Sequence, residues 1–228
     1  MDSNKLKSFE HLELVYKQVN GHDIKTSVLM PKNGITGSLP VLVHFHGGGL
    51  VMGDKLFLPW WANWLIQLAE KHNAIIISPN YRLIPESTVS DTLQDLVSFW
   101  AWIHESLAFE VKKMNPNISP NTERITVIGE SAVHGKFPDF LGLDKRVYLS
   151  KAMQQEMGLP PIWLIQGRED TAMPLDCAQQ FVQDMKALHP ETPFHYSLES
   201  GGHGFDLKST LDDDWVKKGV DFIERFWP

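Results

Sequence analysis

The strongest constraint in this sequence is an alternation of two patterns. Short, continuously apolar runs alternate with longer segments of helical spacing. "VLVHFH" (41–46), "AIIISPNY" (74–81), "RITVIG" (124–129) and "PPIWLIQG" (160–167) read as strands, the first three buried, and "FHYSLES" (194–200) as a further strand. "LPWWANWLIQLAEKH", "TVSDTLQDLVSFWAWIHESL", "LDCAQQFVQDMKALH" and "DDDWVKKGVDFIERFW" place apolar residues at helical intervals. A continuous apolar strand belongs to a parallel sheet covered on both faces. Ahead of the alternation, "LELVYKQV" and "IKTSVLMP" flank Asn20-Gly21-His22-Asp23, the pattern of a β-hairpin. The spacing therefore predicts an α/β fold. Its sheet is mostly parallel and doubly wound, with helices on both faces and an N-terminal hairpin. "KNGITGSLP" reads as a loop, and Ser90 or Asp91 lies near the start of the second helix.

A chain of 228 residues without repeats, low-complexity tracts or long linkers predicts a single domain over 1–228. The net charge of −7 argues against nucleic acid or an anionic membrane as partner. Cys177 is the sole cysteine, so no intrachain disulfide can form, and a reducing, cytoplasmic setting is expected. "MDSNKLKSFEHLELVY" has no apolar stretch of signal-peptide length, and no run approaches a membrane span. Trp60, Trp61 and Trp64 cluster, as do Trp100 and Trp102. A wide aromatic core explains such clusters; Trp60 and Trp61 could also wall a pocket.

In a doubly wound sheet, chemistry belongs at the carboxyl ends of the strands. Four of those ends carry a candidate group. After 41–46 comes His46-Gly47-Gly48-Gly49, glycines whose N–H groups can converge on a developing oxyanion. After 124–129 comes Gly129-Glu130-Ser131-Ala132, a serine at a sharp turn. Gly129 is the small residue that lets that turn form without a clash. After 161–166 come Glu169 and Asp170, either of which could orient an imidazole. After 194–200 comes Gly201-Gly202-His203-Gly204-Phe205, a histidine on a flexed loop. A flexible loop, a helix-capping serine, a solvated acid and an idle histidine are the plain alternatives. Together the four give Ser131, Asp170 and His203 in an order in which nucleophile, acid and base recur.

The motifs "HFHGGGLVMGD", "SPNYRLIPES", "VIGESA", "QGREDTAMPLD" and "GGHGF" resemble the hormone-sensitive-lipase-like branch of α/β-hydrolase esterases. The resemblance runs from about residue 12 to the end. It implies that Ser131 is the nucleophile, His203 the base and Asp170 its orienting acid. Gly48, Gly49 and Ala132 would supply the oxyanion-hole N–H groups, with His46, Gly47 and Glu130 in support. It further implies a small-molecule carboxylic ester as substrate, no metal or organic cofactor, and pairing of two copies through edge strands.

Two departures stand out. The elbow has Val133 where the family has glycine, and Ser131 and Asp170 are only 39 positions apart (170 − 131). In the family that interval holds the helix after the nucleophile, a core strand with its helix, and part of a cap. A reduced core and cap follow, with residues 133–158 as a cap remnant and the cut between Ala132 and about His134. Such a chain is expected to be a weak or inactive hydrolase. A catalytically inert binding or scaffold protein on the same fold, or a truncated product, is the alternative.

Other residues receive structural expectations. His44 and His46 share a strand face, but no third residue has the spacing of a metal ligand. Tyr81, Arg82 and Glu86 are expected in a buried network behind the glycine loop, with Asp95 as partner. His134 lies too close to Ser131 in sequence to approach its hydroxyl. Cys177 is expected to be buried and inert.

Overall fold

A computed structural model describes residues 5–32, 34–131 and 159–227. Ala132, Val133, His134 and the expected cap remnant lie outside the described residues. The chain divides into two compact units. The first comprises Met1–Trp61, Leu65–Ser131 and Trp227, and the second Ala62–Trp64 and Ala132–Phe226.

The first unit is a five-stranded sheet. Its strands are β1 (Phe9–Val19), β2 (His22–Pro31), β3 (Gly37–Phe45), β4 (Ile75–Pro79) and β5 (Ile118–Gly129). Their order is β1-β2-β4-β3-β5. The first two form the expected hairpin, turning through Asn20 and Gly21, both at positive φ. β2 pairs antiparallel with β4, whereas β3 is parallel to both β4 and β5. Helices α1 (Asn63–His72), α2 (Val89–Glu105) and α3 (Leu107–Met114) intervene in the chain.

Alternation of side chains along each strand divides the core. Val28, Met30, Val41, Val43, Ile75 and Ile77 point to one face, where Phe99, Trp102 and Ile103 of α2 and Leu107 and Val111 of α3 cover them. Leu29, Leu42 and Ile76 point the other way and are also fully buried. Burial on both faces is what the continuous apolar runs predicted.

Two local expectations, the start of β3 and the single helix over 88–107, are corrected. β3 begins at Gly37, inside the segment read as a loop, because Gly37 to Pro40 pair with Ile118 to Asn121 of β5. α2 starts one residue after Thr88, whose hydroxyl accepts from Asp91 N while the Asp91 carboxylate accepts from Thr88 N. This capping box opens the helix, with Ser90 and Asp91 in its first turn as expected. α3 was unforeseen, since no glycine or proline separates it from α2; Ser106 alone, at φ −124°, breaks the helix.

A larger correction concerns "RITVIG". Val127 is 50% exposed, and Ile125 and Ile128 are only half-buried. β5 has one partner strand, β3, among the described residues. The apolar pattern is that of a covered central strand, but the strand lies at a sheet edge.

The second unit is built on two parallel strands, β6 (Ile162–Gly167) and β7 (Phe194–Glu199). Helix α4 (Leu175–Leu188) sets Phe181 and Met185 against Ile162, Leu164 and Phe194 on one face. Helix α5 (Asp214–Glu224), which follows the acidic run as expected, lies against the residues of opposite parity. Gly219 abuts Trp163, and Phe222 stacks on His195. Cys177, expected to be buried, is partly exposed on α4.

Gly219 yields a prediction. A Cβ there would lie 1.9 Å from Trp163 Cζ2, and that ring is held by a bond to Ser197 and by Trp64 and Trp215. Glycine to alanine within a helix ordinarily gains up to about 1 kcal/mol. Overpacking costs about 1–3 kcal/mol and outweighs it. Gly219→Ala is therefore expected to lower the thermal midpoint in a calorimetric melt.

Candidate active site

The first unit holds the glycine loop and the serine turn. β3 delivers Phe45 and His46 to its carboxyl end, and β5, in parallel register, delivers Gly129 opposite Phe45. Glu130 N then donates to Phe45 O at 3.1 Å. Ser131 follows at φ +53°, the left-handed region that a side chain other than glycine rarely occupies. A strained serine just past a strand end is the geometry of a nucleophile elbow. The glycine that this packing demands is Gly47. A Cβ there would sit 3.0 Å from Glu130 O and 3.2 Å from Ser131 Cβ. Gly129, expected to relieve crowding, has nothing within 4 Å of such a Cβ among the described residues.

Gly48 and Gly49 stand at φ +107° and +62°. Gly48 O accepts from Val51 N and Met52 N, which closes the loop. Among the described residues neither Gly48 N nor Gly49 N donates a hydrogen bond to the backbone. Two amides are thus left for a ligand. Gly53, which the sequence reading passed over, is as constrained: at φ +118° its Cβ would lie 2.5 Å from His46 Nδ1.

His46 orients this loop. Its Nδ1 lies 2.8 Å from Gly47 O, and its ring stacks on Tyr81 at 4.3 Å. The Tyr81 hydroxyl donates to His46 O at 2.5 Å. Burial pushes the His46 imidazole below its ordinary pKa and the Tyr81 phenol above its own. Behind the loop, Arg82 Nε donates to Asp95 Oδ2 at 2.8 Å, and Lys17 Nζ meets Asp95 Oδ1 at 2.7 Å. Arg82 also reaches Asp91. This is the network expected of Arg82 and Asp95, except that Glu86 is exposed and outside it.

His44 has a neighbour that the sequence did not reveal. It is fully buried, with Nδ1 3.0 Å from Ser78 Oγ and Trp61 packed on its ring at 4.2 Å. Glu130 Oε1 lies 2.9 Å from Nε2, although off the line of a good hydrogen bond. His44 thus faces an acid beside Ser131. Among the described residues no group of three or more His, Cys, Asp or Glu could hold a metal ion.

The second unit holds the acid and the imidazole. β6 ends at Gly167 and β7 at Glu199, and their parallel register sets the two following loops side by side. Asp170 Oδ2 lies 2.8 Å from His203 Nδ1. Asp170 Oδ1 accepts from Ala172 N at 2.9 Å and Met173 N at 2.8 Å. The carboxylate is thereby fixed by its own loop, and an acceptor at Nδ1 favours the tautomer that carries its proton there. Its rival Glu169 is engaged elsewhere, accepting from Gly201 N. The Asp170 side chain is nearly buried, whereas that of His203 is 42% exposed.

Comparison with known proteins agrees with this fold. A family model described as alpha/beta hydrolase fold matches residues 42–132. A Phoma sp. protein named as a probable carboxylesterase is 27% identical over 315 positions, which take in 99% of this chain and 98% of that protein. A tuliposide A-converting enzyme of Tulipa gesneriana is 42% identical over 65 residues, covering 28% of this chain and 17% of the enzyme. Among solved structures, esterase 2 of Thermogutta terrifontis aligns with a TM-score of 0.67 at 18% identity, covering 99% of this chain and 96% of that one. A thermostable esterase of Pseudomonas putida aligns with a TM-score of 0.70 at 18% identity, covering 98% and 85%.

Proposed function

The chain has the α/β-hydrolase fold and is similar to the hormone-sensitive-lipase-like esterases; from that premise we propose that it is a slow serine hydrolase of small or medium acyl esters. Ser131 Oγ attacks the acyl carbon and passes its proton to His203 Nε2. The N–H groups of Gly48, Gly49 and Ala132 receive the oxyanion. His203 returns the proton to the departing alkoxide, leaving an acyl-serine ester. Water then gives a proton to His203 and attacks the acyl carbon, and the carboxylic acid leaves as Ser131 regains its hydrogen. Asp170 holds the imidazole throughout. The ester is the small-molecule partner, and the steps as written use no metal or cofactor. The two units are read as parts of one catalytic domain.

The observation that carries this reading is the Asp170–His203 contact of 2.8 Å on a carboxylate already pinned by two amides. The unspent amides of Gly48 and Gly49 and the strained turn at Ser131 support it.

Slowness follows from the short interval after Ser131. The match with the Phoma sp. protein occupies 315 positions against 228 residues here, so at least 87 positions (315 − 228) have no counterpart in this chain. The half-exposed β5, with β3 as its one partner strand among the described residues, accords with a shortened core. A helix after the nucleophile would stiffen the turn and add positive field at the oxyanion. An interval of 39 positions leaves less chain to build that support, and rapid catalysis requires a sub-ångström fit of donors and nucleophile.

The test is hydrolysis of p-nitrophenyl butyrate by the purified chain. Turnover below about 1 s⁻¹, under the usual enzyme range, and abolished in Ser131→Ala, is expected. Rates of an ordinary esterase would refute the slowness. A folded protein with no Ser131-dependent turnover would favour the inert binding reading, which the exposed β5 also suits.

A further inference from the structure

Glu169 is the acid that the triad leaves over, and its contacts converge on one residue. Glu169 N donates to Gly201 O at 3.1 Å, and its carboxylate Oε2 accepts from Gly201 N. A single side chain and its own amide thus occupy both polar groups of Gly201. Gly201 lies two residues past the end of β7. It stands at φ +132°, and a Cβ there would lie 2.5 Å from Phe205 Cβ. The approach is close from the other side as well, since a Cβ on Gly167 would meet Gly201 O at 2.4 Å. Arg168 completes the seam: its N donates to Glu199 O at 2.8 Å and its Nη2 to Leu198 O at 3.2 Å. His203 follows Gly201 by two residues, and its side chain is 42% exposed. Packing alone therefore holds the imidazole loosely, and the direction of the loop matters.

We propose that Glu169 is a positioning residue that clamps Gly201 and so aims His203 at Asp170. The proposal rests on reading Asp170 and His203 as acid and base. Asp170 fixes the imidazole by one bond to Nδ1, and a single bond leaves the ring free to swing. The clamp removes that freedom by fixing the peptide from which the histidine loop springs. A carboxylate on a backbone N–H is a charge-assisted bond, and exposure limits its strength. Glutamine keeps an acceptor oxygen of the same reach; alanine does not.

The experiment follows the His203 Nδ1–H proton by NMR in the full chain, alongside Glu169→Ala and Glu169→Gln. The indole Nε1–H of Trp163, bonded to Ser197 at 2.9 Å, reports whether the second unit stays folded. In Glu169→Ala the His203 proton is expected to exchange with water about fivefold faster, with the Trp163 signal unchanged. Glu169→Gln is expected to restore slow exchange. Unchanged exchange in Glu169→Ala would overturn the proposal, as would loss of both signals together, which makes the residue a general prop of the fold. Absence of the His203 proton from the parent protein would also overturn it. If the clamp behaves as expected but a fluorophosphonate leaves Ser131 untouched, the positioning role stands and the hydrolase reading falls.

Discussion

Asp95→Ala is expected to cost the first unit about 3–5 kcal/mol, the usual penalty for breaking a buried ion pair from one side. Asp95 is fully buried and receives Lys17 on one oxygen and Arg82 on both, including Arg82 N. Removing it takes this partner from Lys17 and leaves Arg82 with Asp91 alone, and the two cationic side chains are only 18% and 23% exposed. Stability totals of about 5–15 kcal/mol leave little margin for such a loss. The same site sets an acid limit. Burial alone would raise the Asp95 carboxyl, but bonds from Arg82 and Lys17 outweigh burial and hold it below the usual carboxylate range. A depressed folded pKa gives stability that is complete above the unfolded value of about 3.9 and is lost as pH falls through the folded one. Urea melts between pH 3 and 7 should show this fall in the parent, and Asp95→Ala should flatten it. A midpoint unaffected by the substitution would mean that the network is ornamental.

His203→Ala is expected to lower kcat/KM for p-nitrophenyl butyrate by about 10²–10⁴-fold, the span of general-base catalysis. Asp170→Asn should fall in the same direction, because an amide in place of Oδ2 no longer selects the tautomer with Nδ1 protonated. The comparison to make is single-turnover release of p-nitrophenol at matched protein concentration. Equal rates in His203→Ala and the parent would remove the histidine from the chemistry.

Much of this architecture was legible because single residues dictate it. Asn20-Gly21 can only turn, and Val41, Ile75 and Ile77 can only be covered. The four strand ends also marked where to look: Ser131 stands at a positive-φ turn after β5, and Asp170 meets His203 after β6 and β7. What escaped was whatever depends on neighbours distant in sequence. β5 has the composition of a central strand, and no local pattern reveals that one flank has no partner strand among the described residues. Glu169 and Asp170 are adjacent acids, and only the turn at Asp170, which spends Oδ1 on Ala172 and Met173, assigns His203 to one of them. The surroundings of His44 could not be read, because its neighbours Glu130 and Ser78 lie 86 and 34 positions away. Gly129 looked like the glycine of the tight turn, whereas among the described residues the steric demand falls on Gly47, which approaches Ser131 from the loop after β3.

The most direct measurement is intact-protein mass spectrometry after exposure to a fluorophosphonate. A single adduct that maps to Ser131, and that is absent from both Ser131→Ala and His203→Ala, is the predicted result. A folded protein that takes up no adduct, or one that labels equally well without His203, would contradict the account.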